Sequence, residues 1–167
     1  MVYPFAFQEN TMKSILFTLA VLGAGLAGLA NAQSTTFKKV QDSGEIVMGV
    51  RESSSPLSFT LGNGVFAGYH VDLCRAIIAE ISKAVGKPLT IKYSPVTSQN
   101  RIPLVQNGTV DIECGSTTNN ATRQKDVSFG LTTYVTEVRT AVKVASGITS
   151  IAELGNKTVA TTTGTTS

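Results

Sequence analysis

Residues 69–93 read YHVDLCRAIIAEISKAVGKPLTIKY, and the rest of the chain is best understood outward from them. Cys74, Ile77, Ile78, Ile81 and Val85 recur at three- and four-residue spacing, the mark of a helix with one apolar face. Gly86 ends that helix and Pro88 lies just beyond it. Leu89 to Tyr93 then reads as a strand. Upstream, Glu45 to Val50 (EIVMGV) is a short apolar run suited to a buried strand. Strand, helix and strand in series predict an α/β fold with a mostly parallel sheet.

The flanking segments extend this alternation. Phe37 to Gln41 reads as a short helix ended by Asp42-Ser43-Gly44. Ser58 to Leu61 and Val65 to Ala67 flank Gly62-Asn63-Gly64 and predict a hairpin. Thr97 or Ser98 can cap a helix running to about Gln106, with Asn107-Gly108 as its stop. Val110 to Cys114 predicts a third strand, and Ala121 to Gln124 a helical turn. Thr133 to Val144 alternates as a long strand would. Ser150 caps a short helix over Ile151 to Leu154, and Thr158 to Thr161 reads as one more strand.

The N-terminus is a separate matter. Residues 1–11 lack periodicity and read as an extension from an over-long start. Residues 12–32 read as a signal peptide. Lys13 supplies the positive end, Ile15 to Ala30 the uncharged run, and Ala30-Asn31-Ala32 the cleavage triplet. The run is shorter than the roughly 20 residues of a membrane span, and Gln33 should begin the mature chain. These features predict a soluble, periplasmic protein.

Net charge is +3 and 15% of residues are charged, with the basic ones scattered. A nucleic-acid partner is therefore not expected. Cys74 and Cys114 are the two cysteines. An exported chain permits a bridge between them, but the reading favours two buried, unpaired thiols.

In a parallel sheet, ligands bind beyond the carboxyl ends of the strands. Arg51 follows the first strand, Ser98 and Arg101 the second. Ser116, Thr118 and Arg123 follow the third, and Thr165 and Thr166 the last. Guanidiniums pair with carboxylates in bidentate fashion, and hydroxyls add donors. Three arginines exceed the needs of one carboxylate and suit a ligand with two. Each arginine alone has the competing reading of a solvated or ion-paired surface residue. The hydroxyl-rich loops also read as ordinary turns.

Signs of catalysis are missing: no nucleophile elbow, phosphate loop or metal spacing occurs. An enzyme, a metal and a cofactor are accordingly not expected. His70 reads as a capping or surface residue. Asp111 and Glu113 share a strand face, and a solvated edge explains them better than a catalytic pair.

Several runs carry a resemblance. They are Gly49 to Ser54 (GVRESS), Thr97 to Leu104 (TSQNRIPL), Gln106 to Thr109 (QNGT), Asp111 to Asn120 (DIECGSTTNN) and Gly164 to Ser167 (GTTS). In this order and spacing, residues 37–167 closely resemble solute-binding protein family 3, the amino-acid receptors of ABC transporters. The match is to its acidic-amino-acid branch.

The resemblance implies the two-lobed type II periplasmic-binding fold. Residues 33–142 would form lobe 1 with the first hinge strand, and 143–167 the start of a truncated lobe 2. It implies a monomer that captures L-glutamate or L-aspartate and delivers it to ABC transporter permease subunits. Arg123 and Thr118 would hold the α-carboxylate, with Ser116 near the α-amino group. Arg51, Ser98 and Arg101 would hold the side-chain carboxylate, and Thr165 and Thr166 would reach in from lobe 2. The acidic partner of the ligand ammonium would lie beyond residue 167. A sensory input domain or a periplasmic enzyme on the same fold is the competing reading.

Overall fold

The computed structural model describes residues 35–166. The extension at 1–11, the signal peptide at 12–32 and Ser167 lie outside the described residues. The elements in order are α1 (Thr35–Ser43), β1 (Glu45–Val50), β2 (Ser53–Ser54), β3 (Ser58–Gly62) and β4 (Val65–Ala67). After these come α2 (Tyr69–Val85), β5 (Thr90–Pro95), α3 (Arg101–Gln106) and β6 (Ile112–Glu113).

β1 is the middle strand of a three-stranded sheet in the order β5-β1-β6. It runs parallel to β5 from Glu45↔Thr90 to Val50↔Pro95, and parallel to β6 at Met48↔Ile112 and Gly49↔Glu113. A strand paired on both edges and covered needs an apolar run rather than an alternation. Ile46, Met48 and Val50 are indeed buried. A second sheet, β2-β3-β4, is antiparallel, and its β3–β4 turn falls at Gly62-Asn63-Gly64 as the sequence predicts.

α2 lays Val71, Cys74 and Ile78 into the core, with Ile81 partly buried beside them. Val40, Phe66 and Cys114 complete the same cluster. Burying an aliphatic side chain of this size stabilises by about 1.5–3 kcal/mol. Gly86 takes a left-handed conformation (φ 80°), and its N–H reaches the Ser82 and Lys83 carbonyls. That geometry closes a helix and strains any residue with a side chain. At the other end, Tyr69 and His70 N–H donate to the Pro56 and Leu57 carbonyls. Arg75 ties α2 to both sheets, donating to the Tyr93 hydroxyl (3.0 Å) and the Phe66 carbonyl (3.0 Å).

Four expectations are corrected. Thr133–Val144 is not a strand, and Val135 and Val138 along this stretch are 85% and 64% exposed. Thr158–Thr161 likewise forms no ladder. Alternation of side chains is only half of a strand; the other half is a neighbour whose backbone groups pair with it. Among the described residues neither segment has one. The third correction concerns α3, which begins at Arg101 rather than near Thr97. Thr97 and Asn100 instead close a reciprocal turn: Thr97 N–H donates to Asn100 Oδ1 (2.7 Å), and Asn100 N–H to Thr97 Oγ1 (3.2 Å).

The fourth is the cysteines. Both are buried, as read, but Cys74 and Cys114 form a disulfide, with Cα atoms 6.2 Å apart. They lie 40 residues apart in sequence. Packing of α2 against the end of β6 brings them together.

Candidate functional site

Arg51 leaves the carboxyl end of β1, and its main chain is bolted there: Arg51 N–H donates to Ser58 Oγ at 2.9 Å. Each nitrogen of its guanidinium donates once, leaving two of the five N–H groups over. Nη1 donates to the Val96 carbonyl (2.9 Å), Nη2 to Ser98 Oγ (3.1 Å) and Nε to Ser54 Oγ (3.2 Å). Ser116 Oγ donates to the same Ser54 hydroxyl at 3.3 Å. Arg51, Ser98 and Ser116 thus form one network through Ser54. The sequence analysis missed Ser54; its place in the loop following Arg51 was the available signal.

Arg101 opens α3 and is 3% exposed. Its Nη2 donates to the Gly164 carbonyl at 3.5 Å, while Nε and Nη1 are buried without a protein partner. Burial lowers its pKa from the usual guanidinium value; Glu113 opposes this, and Arg123 and Arg51 reinforce it. Arginine nevertheless stays charged.

Arg123 stands in a 3-10 turn, Arg123–Lys125, whose first N–H donates to Asn120 Oδ1 at 2.9 Å. Its Nη1 donates to the Thr118 carbonyl (3.0 Å) and its Nη2 to the Gly164 carbonyl (3.0 Å). Arg101 and Arg123 therefore converge on one oxygen. Gly164 reaches that position because it is glycine. Its φ is 80°, and a Cβ there would lie 2.6 Å from the Ser98 carbonyl oxygen.

Of the two threonines that follow, Thr166 Oγ1 donates to Thr118 Oγ1 at 3.5 Å. Thr165 Oγ1 turns back to the Thr162 carbonyl at 2.7 Å, so its hydroxyl serves a local turn.

Among the described residues, the ion pairs join Arg75 to Asp72, Lys83 to Glu80, Lys92 to Glu45 and Arg139 to Glu137. Arg51, Arg101 and Arg123 take part in none of them. Two cavities border Arg51 and Arg101. One of about 330 Å³ is lined by Arg51, Ser98, Thr162 and Thr163 among others. Another of about 550 Å³ takes in Arg101, Glu113, Thr117, His70, Leu73 and Ile77.

The carboxylates of β6 differ from expectation. Asp111 Oδ2 accepts the Val47 N–H at 2.8 Å and ties the start of β6 to β1. Glu113 is not at a solvated edge: its Oε1 is buried without a protein hydrogen-bond partner. Burial pushes the Glu113 carboxyl well above its usual range, against the pull of Thr117, Arg101, Arg51 and His70. His70 is likewise neither cap nor surface residue. Its Nδ1 lies 2.5 Å from the Gly115 carbonyl oxygen and its Nε2 2.9 Å from Thr133 Oγ1, so the ring bridges two loops. Among the described residues no group of His, Cys, Asp and Glu is placed to hold a metal ion.

Residues 46–163 match the bacterial extracellular solute-binding proteins, family 3. The glutamate/aspartate import solute-binding protein of Escherichia coli (strain K12) is 46% identical over 150 residues, covering 87% of this chain and 50% of that protein. The L-glutamate/L-aspartate-binding protein of Pseudomonas aeruginosa is 43% identical over 157 residues, covering 91% of this chain and 52% of its own length. The chain thus spans about half the length of the curated relatives it matches. Among solved structures, the solute receptor for L-cysteine of Neisseria gonorrhoeae superposes with a TM-score of 0.50 at 23% identity. That match covers 57% of this chain and 37% of the receptor, and it supports the α/β type II periplasmic fold. By its sequence match and its architecture alike, the chain belongs to family 3 of the bacterial extracellular solute-binding proteins.

Proposed function

We propose that the chain supplies one wall of a cleft that captures L-glutamate or L-aspartate. The observation that carries this reading is the convergence of Arg101 and Arg123 on a single oxygen, the Gly164 carbonyl. Two guanidiniums aimed at one acceptor form an anion-binding geometry, and Arg51 adds a third positive charge through the Ser98 network. In this reading Arg123 and Thr118 take the α-carboxylate and Ser116 the neighbourhood of the ammonium. Arg51, Ser98 and Arg101 take the side-chain carboxylate, and Thr165 and Thr166 close over the ligand. The two relatives above are named for glutamate and aspartate, which favours the same ligand class.

The wider role follows from this cleft. The protein works as a periplasmic monomer, exported by the signal at 12–32, and hands its ligand to an ABC transporter permease without chemical change. Lobe 1 spans 33–142 and lobe 2 begins at 143. Calorimetry with L-glutamate and L-aspartate tests the reading. Binding is expected for both, with a loss of about thirtyfold or more in Arg123→Ala, since truncating one partner of a buried charge pair costs about 2–5 kcal/mol. Unchanged affinity in that variant would remove the assignment.

A further inference from the structure

The Glu113 side chain runs between two glycines. Gly49 is its register partner on β1, and a Cβ there would lie 3.5 Å from Glu113 Cγ. A Cβ on Gly115 would overlap Glu113 Oε1 and stand 2.6 Å from Arg51 Cγ. The carboxyl group is therefore laid against the stem of Arg51 in a slot that Gly115 leaves open, with Gly49 at ordinary contact distance on the other side. Four buried polar side-chain atoms among the described residues lack a hydrogen-bond partner: Arg101 Nε, Arg101 Nη1, Glu113 Oε1 and Thr117 Oγ1. The residues that own them all line the 550 Å³ cavity.

We propose that Glu113 is the cleft's resident carboxylate: it shares Arg51 and Arg101 with the side-chain carboxylate of an acidic ligand and gives way by taking up a proton. This rests on the acidic-ligand reading above and adds a positioning and specificity residue to it. Every element around Glu113 contributes a group. Arg51 comes from the end of β1, Arg101 from α3, His70 from α2 and Thr117 from the loop after β6. Asp111 shares its strand but is bonded to the Val47 N–H.

A second anion arriving at the same guanidiniums disfavours an ionised Glu113, because like charges resist a shared site. Burial already holds this carboxyl above the ordinary 4.5, so the exchange falls on the neutral side of that value. The sign follows from linkage. As pH rises through the raised value, Glu113 ionises and competes with the ligand, so affinity for an acidic ligand falls. A ligand with a neutral side chain does not compete for that pair.

The test is calorimetric titration of the full chain with L-glutamate and with L-glutamine. In wild type, glutamate affinity should fall by about three- to tenfold as pH rises above the ordinary carboxylate range, with any glutamine binding flat. The fall should persist in His70→Gln and vanish in Glu113→Gln. A slope retained in Glu113→Gln, or lost in His70→Gln, overturns the role given to Glu113. The same holds for a wild type that binds glutamate with no slope. Absence of binding to glutamate and aspartate at every pH overturns the acidic-ligand reading itself. Wild-type titrations in phosphate and in Tris, buffers of unlike ionisation heat, measure the coupling without any substitution. Uptake of a fraction of a proton per glutamate supports it, and none overturns it.

Discussion

Gly115 occupies a position where a single methyl group has no room, since a Cβ would meet both Glu113 Oε1 and the Arg51 stem. Gly115→Ala should push Arg51 off Val96 and Ser98. Overpacking of this kind costs about 1–3 kcal/mol. A urea titration should show that loss, and glutamate titration should show a weakened or absent site. An unchanged urea midpoint would mean that the Arg51 side chain shifts freely. At this scale the sequence was informative about which arginines come near one another, because each lies in a segment that follows a strand's carboxyl end. It was uninformative about Glu113 and His70. Nothing in their neighbours along the chain signals burial, which comes from the His70 ring lying between Gly115 and Thr133 and from Glu113 lying against Arg51 and Gly115.

At the scale of elements, β1, α2 and the β3–β4 hairpin were legible because each carries its own period or turn signal. The segments at 133–144 and 158–161 were misread for the reason given above: their pattern lacks a partner. The Cys74–Cys114 bridge was also illegible, since pairing depends on how α2 lies on β6 rather than on spacing. That bridge fastens the middle of α2 to the strand end that presents Glu113, Gly115 and Ser116. Closing a loop of this length stabilises by about 2–5 kcal/mol. Reduction, or the Cys74→Ala/Cys114→Ala pair, should lower the urea midpoint accordingly. It should also weaken glutamate binding more than a change remote from β6 would. Equal midpoints for oxidised and reduced protein would show that the core holds this junction unaided.

Across the whole molecule, order is concentrated in one half. Residues 40–114 hold both sheets, α2 and the buried cluster. Residues 127–166 have two short 3-10 turns, Val144–Ser146 and Ile151–Leu154, and few backbone hydrogen bonds. Amide exchange should therefore be slowest in β1 and fastest between about 131 and 161, because exposed, unbonded backbone opens at little cost. Mass-spectrometric exchange reads this directly; slow exchange at 133–144 would imply a ladder formed in solution.

The Gly164 carbonyl adds a last consequence. It sits where Arg101 and Arg123 meet, and it is attached to the same chain. It is thus a tethered rival, present at an effective concentration that dilution cannot lower. In the proposed cleft, an anion that takes those same two Nη2 groups has to displace it, and its apparent dissociation constant is then a ratio of two occupancies. Loosening the tether would sharpen affinity without touching an arginine.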